Sequence, residues 1–380
     1  MKIAILTQPL RTNYGGNLQA FALQYILREY GYIPLTINYR KRPYRMYSVR
    51  PVLSRIKRTL LKQKKIYPFS DSESRIISQH HNSFIEDNIN LSPALYSVKQ
   101  LSTYFKNNHF HSVIVGSDQT WRPKYSPRID TFFLDFLNKN QHIRKLSYAA
   151  SFGTDEWEFT QRQTIRFSSL LKQFDFVSVR EESAVSLCEK KLNTKATHVL
   201  DPTLLLDKSV YLNFLQDETN TNNEGELFYY CLDKTRDKNE FIENVASQLG
   251  RKTFSAYPKK TIKNTRSIDD IHNYIYPSIN EWLRGFHKAS FIITDSFHGT
   301  VFSIIFNKPF IAIANEERGK ARFTSLLKLF NLEHRLVTDV KKTPLSIIHE
   351  GIDYHSVNHK LNELREISVR HLIDSIGANK

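Results

Sequence analysis

The sequence has little of what would mark a fibrous, disordered or membrane-spanning protein. Its 380 residues include only 12 glycines and 13 prolines, too few for a collagen-like or low-complexity chain. No apolar run approaches the roughly 18 residues that cross a bilayer. The apolar start, residues 1–7, is too short for a signal peptide and lacks a cleavage pattern, so we interpret it as a first buried strand.

Cysteine and the common metal and nucleotide motifs are also scarce or missing. Cys188 and Cys231 lie far apart in apolar contexts, which predicts buried thiols in a reducing cytoplasm. The sequence has no P-loop, no H-E-x-x-H, no zinc-spaced cysteine set and no Asp-x-Asp. We therefore expect no metal ion or other cofactor, and no nucleotide sugar held through a metal by Asp-x-Asp.

Acidic residues are outnumbered, with 38 Asp and Glu against 54 Lys and Arg and a formal charge of +16. Such a balance favours an anionic partner: nucleic acid, anionic lipid or a phosphorylated substrate. Because no nucleic-acid reader motif is present, we do not expect nucleic acid to be that partner.

The positive charge is concentrated between Arg40 and Lys65, which holds eleven Lys and Arg and no acid. Apolar residues at helical spacing in this segment predict a short amphipathic helix with a basic polar face. Two interpretations stay open. The helix contacts an anionic membrane surface, at the inner face of the membrane, or it is a solvated helix docked by its leucines.

Strands and helices alternate along the chain, which predicts α/β domains with parallel sheets. The length favours two domains, and the polar stretch at 217–224 marks the join between them. We expect an N-terminal Rossmann-like domain at 1–206, with the basic segment near 40–65 inserted in it. A C-terminal Rossmann-like domain follows at 225–355, and a last helix within 356–380 is expected to pack back on the first domain.

The most informative segment is Phe291–Thr300, an apolar strand that runs through a polar turn into a helix. Its polar or small residues are Asp295, Ser296, His298, Gly299 and Thr300. Helix N-termini favour anions, and ligands of open α/β sheets lie beyond the carboxyl ends of strands. The motif therefore predicts an anion site with His298 as a general acid and Asp295 as one candidate proton acceptor. The alternative is a structural histidine.

Further motifs at predicted strand ends or helix starts add candidate substrate-binding residues. They are Asn13, Tyr14, Gly15, Gly16, Asn17, Ser117, Gln119, Trp121, Ser151, Arg180 and Arg322. Asn17 is expected to N-cap the first helix, and Asp118 is a second candidate proton acceptor. Trp121 either stacks on a sugar or belongs to the core. Arg180 either holds a carboxylate or phosphate or forms a structural ion pair with a neighbouring glutamate.

Taken in order, these motifs resemble the polysaccharide pyruvyl transferase family. The matching pieces span residues 3 to about 335 and are Tyr14-Gly15-Gly16-Asn17, Val115-Gly116-Ser117-Asp118-Gln119, Tyr148-Ala149-Ala150-Ser151-Phe152-Gly153, Ser178-Val179-Arg180, Asp201-Pro202-Thr203, Thr294-Asp295-Ser296-Phe297-His298-Gly299-Thr300 and Arg322-Phe323. The resemblance implies two Rossmann-like domains facing across a cleft, as in GT-B glycosyltransferases. It also implies transfer of a pyruvate ketal from phosphoenolpyruvate to a sugar of a bacterial surface polysaccharide or its precursor, free or lipid-linked.

The resemblance also implies roles for single residues. His298 matches the family's donor-site histidine, and Arg180 and Arg322 are donor contacts. Many members carry arginine two positions before that histidine, where this chain has Ser296, so another cation, such as Arg322, is expected to hold the donor phosphate. The alternatives are a GT-B glycosyltransferase that uses a nucleotide sugar, and a non-catalytic protein that binds lipid or nucleic acid through the basic segment.

Overall fold

The protein contains two α/β domains, each built on a parallel sheet. The computed structural model describes residues 1–41, 71–137, 142–215, 225–260, 270–314 and 319–377. The predicted basic helix, apart from Arg40 and Lys41, and the predicted join at 217–224 lie outside the described residues. The two-domain α/β fold class is confirmed.

The N-terminal domain is organised around a six-stranded sheet with the order β2-β1-β3-β4-β5-β6, parallel throughout. Its elements are β1 (Lys2–Leu6), α1 (Tyr14–Glu29), β2 (Ile33–Thr36), α2 (Asp71–Ile77), α3 (Gln79–Asn88), α4 (Val98–Asn108), β3 (Ser112–Val115), β4 (Arg144–Ala150), α5 (Gln161–Leu171), β5 (Phe176–Val179), α6 (Glu182–Leu192), β6 (Thr197–His198), α7 (Pro202–Leu205) and α8 (Lys208–Leu212).

The C-terminal domain has a five-stranded parallel sheet with the order β11-β10-β9-β7-β8. Its elements, with the last helix of the chain, are β7 (Leu227–Tyr230), α9 (Arg236–Leu249), β8 (Thr253–Phe254), α10 (Ile279–Lys288), β9 (Phe291–Thr294), α11 (Phe297–Ile305), β10 (Phe310–Ile313), α12 (Lys320–Leu329), β11 (Leu336–Val337) and α13 (Tyr354–Ile376). Short 3-10 helices lie at Ile129–Phe133, Asn213–Leu215, Ile271–Tyr274, Glu333–Arg335 and Leu345–His349.

Each sheet brings its strand ends together, because all strands of a parallel sheet point the same way. The central strands β3 and β9 are buried along their whole length, as expected for a sheet covered by helices on both faces. The loops after β1, β3, β4 and β5 therefore share one edge of the first sheet, and the loops after β7, β9 and β10 share one edge of the second.

The two domains touch through the start of α1. The Tyr14 ring stacks on Trp282 of α10 at 5.3 Å, with 6° between the ring planes. The Tyr14 hydroxyl donates to the Pro277 carbonyl at 2.8 Å. Tyr14 is thus part of a core shared by the two domains, and its ring is not available to a ligand.

The last helix, α13, runs back over the N-terminal domain. The Leu200 amide donates to the Ser368 hydroxyl at 3.1 Å, and Arg365 donates to the carbonyls of Leu204 and Leu206. Both cysteine thiols are free and buried, as predicted. In the part of the chain that the structure describes, none of the helices is long and apolar enough to span a bilayer.

Candidate active site

His298 lies where the two domains meet. A Cβ built on Gly15, at the start of α1, would lie 2.1 Å from Nδ1 of the His298 ring. Only a residue without a side chain lets the imidazole approach α1 this closely. The structure thus brings together two motifs, Gly15 and His298, that the sequence separates by most of the chain.

The turn before His298 is fixed by its own backbone. Ser296 N-caps α11 and accepts a hydrogen bond from the Gly299 amide at 3.3 Å. The Thr294 hydroxyl donates to the Tyr230 carbonyl at 2.6 Å, and a Cβ on Gly299 would lie 2.1 Å from that hydroxyl oxygen. The polar turn therefore has one well-defined geometry, which sets the direction of the imidazole.

Asp201 faces His298 from the N-terminal domain. One of its carboxylate oxygens, Oδ2, lies 3.6 Å from His298 Nε2 and accepts from Arg180 Nη1 at 2.8 Å and from the Ser117 hydroxyl at 3.3 Å. Its other oxygen accepts from the Thr203 hydroxyl at 2.6 Å and the Thr203 amide at 3.0 Å. Burial alone would raise the pKa of this carboxyl, but the charges and hydrogen bonds of His298 and Arg180 hold it well below its usual range.

Two buried arginines flank the ring that precedes His298. The Arg180 guanidinium lies 4.3 Å from the centre of the Phe297 ring, and that of Arg322 lies 5.6 Å from it. Arg180 also donates to Asp118 Oδ1 at 3.3 Å. Burial, and then the charge of Arg180, lower the pKa of Arg322 to about 10. An anion between the two guanidinium groups would relieve that repulsion.

Several predicted site residues hold the strand-end loops in place. Asn13 N-caps α1 by accepting from the Gly16 amide at 3.1 Å, so the prediction that Asn17 caps this helix is wrong. The side-chain Nδ2 of Asn17 instead donates to the Arg11 carbonyl at 2.7 Å. Asn17 is wholly buried and serves the backbone of its loop.

Side chains of the loops after β3 and β4 are held by hydrogen bonds within the first loop and to the loop after β5. Gln119 accepts from Arg122 at 3.2 Å, and the Ser151 hydroxyl donates to Glu181 at 2.8 Å. A Cβ on Gly153 would lie 2.1 Å from the Gln119 side-chain oxygen, so the absence of a side chain at Gly153 lets these loops close on each other.

The prediction that Trp121 stacks on a sugar is wrong, because the side chain lies in the core. The indole is fully buried, stacks on Phe133 at 5.4 Å and donates from Nε1 to the Phe132 carbonyl at 3.0 Å. The alternative stated for this residue, a place in the core, is the correct one.

Asp295 is poorly placed to accept a substrate proton. Its carboxylate accepts from the amides of Leu232 and Asp233 and from the Lys238 ammonium, and its side chain is wholly buried. The residue holds the loop after β7 to the loop after β9.

In the predicted anion site, the backbone amides of Gly299 and Thr300 are already used within the turn. The amides of Gly299 and Thr300 donate to the side chain and the carbonyl of Ser296, so they are not available to an anion. In an α-helix the first N–H groups have no intrahelical acceptor. The backbone N–H groups at the N-terminus of α11 that can donate to an anion are therefore those of Phe297 and His298.

Sequence reasoning missed three contributors. Asp201 was quoted only as part of a motif, although an aspartate before Pro202 at a helix start was a usable signal. Phe297 gave no signal, because its ring acts through the two arginines that flank it. Gly319, with φ of 95°, packs against the Gly153 carbonyl so tightly that an added Cβ would lie 1.5 Å from that oxygen.

A groove of ≈1040 Å³ lies beside this cluster, between α6, α12 and α13. Its lining includes Glu182, His198, Ser325 and Lys328, and it does not include His298. Across it, the Glu182 amide donates to the Ser325 hydroxyl at 2.8 Å, and Lys328 pairs with the Glu182 carboxylate at 2.8 Å. These contacts join the two domains at the edge of the site. The described residues contain no group of three or more His, Cys, Asp or Glu side chains placed to hold a metal ion.

The fold of the protein is GT-B-like. UGT89C1 of Arabidopsis thaliana, solved with UDP-L-rhamnose, superposes with a TM-score of 0.53 at 8% identity, covering 99% of each chain. A UDP-N-acetylglucosamine 2-epimerase from Rickettsia bellii gives 0.52 at 11% identity, covering 99% of this chain and 97% of that one. A putative epimerase of the same kind from Listeria monocytogenes gives 0.50 at 8% identity, covering 96% and 90%. At such identities the likeness concerns the fold alone.

The sequence identifies the family within that fold. The model of the family described as polysaccharide pyruvyl transferase matches residues 13–317. The chain therefore belongs to the polysaccharide pyruvyl transferase family, a family of transferases. No curated protein matches the sequence significantly.

Gly15→Ala tests the contact between α1 and His298. Because the added methyl would lie 2.1 Å from His298 Nδ1, either the imidazole or the helix must move. We expect a loss of turnover of about 100-fold with the protein still folded, since a misplacement of about 1 Å can cost that much. The control is Gly351→Ala, where no atom lies within 4 Å of the added Cβ. Equal turnover in the two variants would contradict the close packing.

Proposed function

We propose that this protein transfers the pyruvyl unit of phosphoenolpyruvate to two hydroxyls of one sugar, giving a cyclic pyruvate ketal and inorganic phosphate. The acceptor is a sugar of a bacterial surface polysaccharide or its precursor. The observation that carries the proposal is the position of His298, between Gly15 and Asp201 and beside the Arg180 and Arg322 guanidinium groups.

The donor carries a phosphate and a carboxylate, and the site offers cations and helix N-termini for both. Arg180 is already hydrogen-bonded to Asp118 and Asp201, which fix the position of its positive charge. Arg322 is the better phosphate ligand, because burial and the charge of Arg180 lower its pKa and a bound phosphate would offset both effects. The N–H groups of Phe297 and His298 add the positive end of α11. Arg322 then serves in place of the family arginine that is missing at Ser296.

The reaction balances with one general acid. Protonated His298 gives a proton to the methylene carbon of the donor, which becomes the methyl group and leaves an oxocarbenium-like C2. The first sugar hydroxyl forms a C–O bond to C2, the phosphate C–O bond breaks, and the second hydroxyl closes the ketal. Of the two hydroxyl protons, the first is accepted by a carboxylate and passes to the departing phosphate, and the second returns to His298. Electrostatic stabilisation of the departing phosphate supplies much of the acceleration.

Asp118 is the better candidate to accept the first hydroxyl proton. Its side chain is 10% exposed, whereas that of Asp295 is fully enclosed by its own donors. Asp118 also lies at the end of β3, bonded to Arg180, so its carboxylate is at the same edge of the sheet as the donor.

The cellular setting is part of the proposal. We propose a cytoplasmic enzyme that needs no cofactor besides its donor, with an acceptor that is lipid-linked or free. Support for peripheral contact with an anionic membrane comes from the charge of residues 40–65 alone.

Donor protection tests the proposal against a nucleotide-sugar glycosyltransferase, the rival that the fold favours. We expect phosphoenolpyruvate to raise the melting temperature, because ligand at 100 times its Kd stabilises the folded protein by about 2.7 kcal/mol. UDP and GDP should leave the melting temperature unchanged. Mass spectrometry of candidate glycans incubated with phosphoenolpyruvate should show a gain of pyruvate less one water. Protection by UDP or GDP but not by phosphoenolpyruvate, with gain of a hexose from its nucleotide sugar, would overturn the assignment.

A further inference from the structure

We propose that Asp201 is a positioning residue that fixes the tautomer of His298, with Nε2–H directed at Asp201 and Nδ1 as the nitrogen that exchanges protons with the substrate. The role in catalysis rests on the proposed function, but the tautomer is a property of the free protein and is tested without a donor.

The carboxylate of Asp201 is held as a fixed acceptor. Its Oδ1 is engaged by the hydroxyl and amide of Thr203, and its Oδ2 by Arg180 and Ser117. The side chain is wholly buried. Since all four donors come from the N-terminal domain, the carboxylate keeps its direction whatever His298 does.

His298 Nε2 is the nitrogen that this carboxylate reaches. It lies 3.6 Å from Oδ2, is sealed from solvent and has no hydrogen-bond partner closer than that. A buried donor without a partner is costly, and hydrogen bonds at catalytic groups often tighten when substrate binds. A small approach of the two domains would convert this contact into an Nε2–H to Oδ2 hydrogen bond. The partner of one ring nitrogen decides which nitrogen carries the proton in the neutral ring.

Nδ1 is then left for chemistry. It lies beside Gly15, at the N-terminus of the 16-residue helix α1. The N-termini of α1 and α11 thus meet at the imidazole, and both favour an anion there. A donor bound between these two helix ends has its enolpyruvyl carbon on the Nδ1 side of the ring.

The charges around the ring support this division of roles. Asp201, Asp118 and Glu181 are carboxylates of the cluster, the last paired with Arg180 Nε at 3.9 Å, and Arg180 and Arg322 are its guanidinium groups beside Phe297. Asp201 stays ionised, because the charge and hydrogen bond of His298, and then the charge of Arg180, hold its pKa well below the usual range. It stabilises the imidazolium that forms when a hydroxyl proton returns to Nδ1.

The contact between Asp201 and His298 also makes the orientation of the proposed general acid depend on how closely the two domains approach each other. Asp201 follows β6 in the N-terminal domain, whereas His298 belongs to α11 in the C-terminal domain. The orienting hydrogen bond therefore forms only when the two domains close on each other, with Gly15 and Asp201 on either side of the ring.

Nitrogen-15 NMR of histidine-labelled protein measures the tautomer directly. His298 is assigned by comparison with His298→Ala, and its neutral ring is expected to carry the proton on Nε2. Asp201→Asn is expected to remove this preference. Asp118→Asn, which changes the other carboxylate on Arg180, is the matched control and should keep it. A wild-type ring protonated on Nδ1, or a tautomer that Asp201→Asn leaves unchanged, would overturn the proposal.

Kinetics give a second and separate readout. Asp201→Asn should lower kcat by about 100-fold or more while KM for phosphoenolpyruvate changes far less, because general acid catalysis contributes about 10²–10⁴-fold. Asp201→Glu, which keeps the charge, should recover part of kcat. A loss confined to KM, or no recovery with glutamate, would reduce Asp201 to a structural role. If phosphoenolpyruvate proves not to be the donor while the Nε2–H tautomer is observed, the proposed function fails and the orienting role of Asp201 stands.

Discussion

His298→Ala is expected to lower phosphate release from phosphoenolpyruvate by about 10²–10⁴-fold, the usual contribution of a positioned general acid. The fold should remain, because Asp201 keeps Arg180, Ser117 and Thr203 as partners when the imidazole is removed. Phosphate release and ketal formation are measured together, with the melting temperature as the check on folding.

The control for this variant is His349→Ala, at an exposed histidine outside the cluster. It should turn over at the wild-type rate. Near-normal turnover of His298→Ala would remove this residue from the mechanism. So would a loss of turnover that matches the fraction of the variant that is unfolded.

Arg180→Ala is expected to cost about 3–5 kcal/mol of the free energy of unfolding, because it strands charges that are buried with it. Asp201 and Asp118 both accept from this guanidinium, and the Arg180 side chain is 1% exposed. Activity should be lost as well, since the same group lines the proposed donor site. Urea denaturation followed by circular dichroism measures the free-energy difference.

Arg236→Ala is the matched control, because Arg236 pairs with Glu240 on the surface and its side chain is 91% exposed. Exposed pairs of this kind contribute at most about 1 kcal/mol. If the two variants lose similar stability, the Arg180 cluster is not the buried electrostatic centre that the contacts describe.

Local sequence patterns located much of the fold. Three strands, Ser112–Val115, Phe176–Val179 and Phe291–Thr294, coincide with short runs of apolar, largely β-branched residues between polar turns, a pattern that predicts buried strands. Four helices were not predicted: Val98–Asn108, Pro202–Leu205, Lys208–Leu212 and Ile279–Lys288. The last of them carried a usable signal, since Ser278 and Glu281 form a capping box at its start.

The candidate site was only partly readable from the sequence. Residues at strand ends were good candidates because parallel strands deliver their loops to one edge. The same argument could not separate Trp121, which turns into the core, from Asp118, which bonds Arg180. Both follow β3, and side-chain direction after a strand depends on packing that the local pattern does not contain.

The sequence by itself determined the family, the parallel α/β architecture and the place of the His298 motif between a buried strand and a helix, because each depends on short stretches of the chain. Only the tertiary structure decided that His298 stands between Gly15 and Asp201, and that Arg180 and Arg322 both lie close to the Phe297 ring. Except for that of Arg322 with Phe297, those contacts join residues of different domains. The energy that selects them, burial of charge beside compensating charge, exists only once the domains have met.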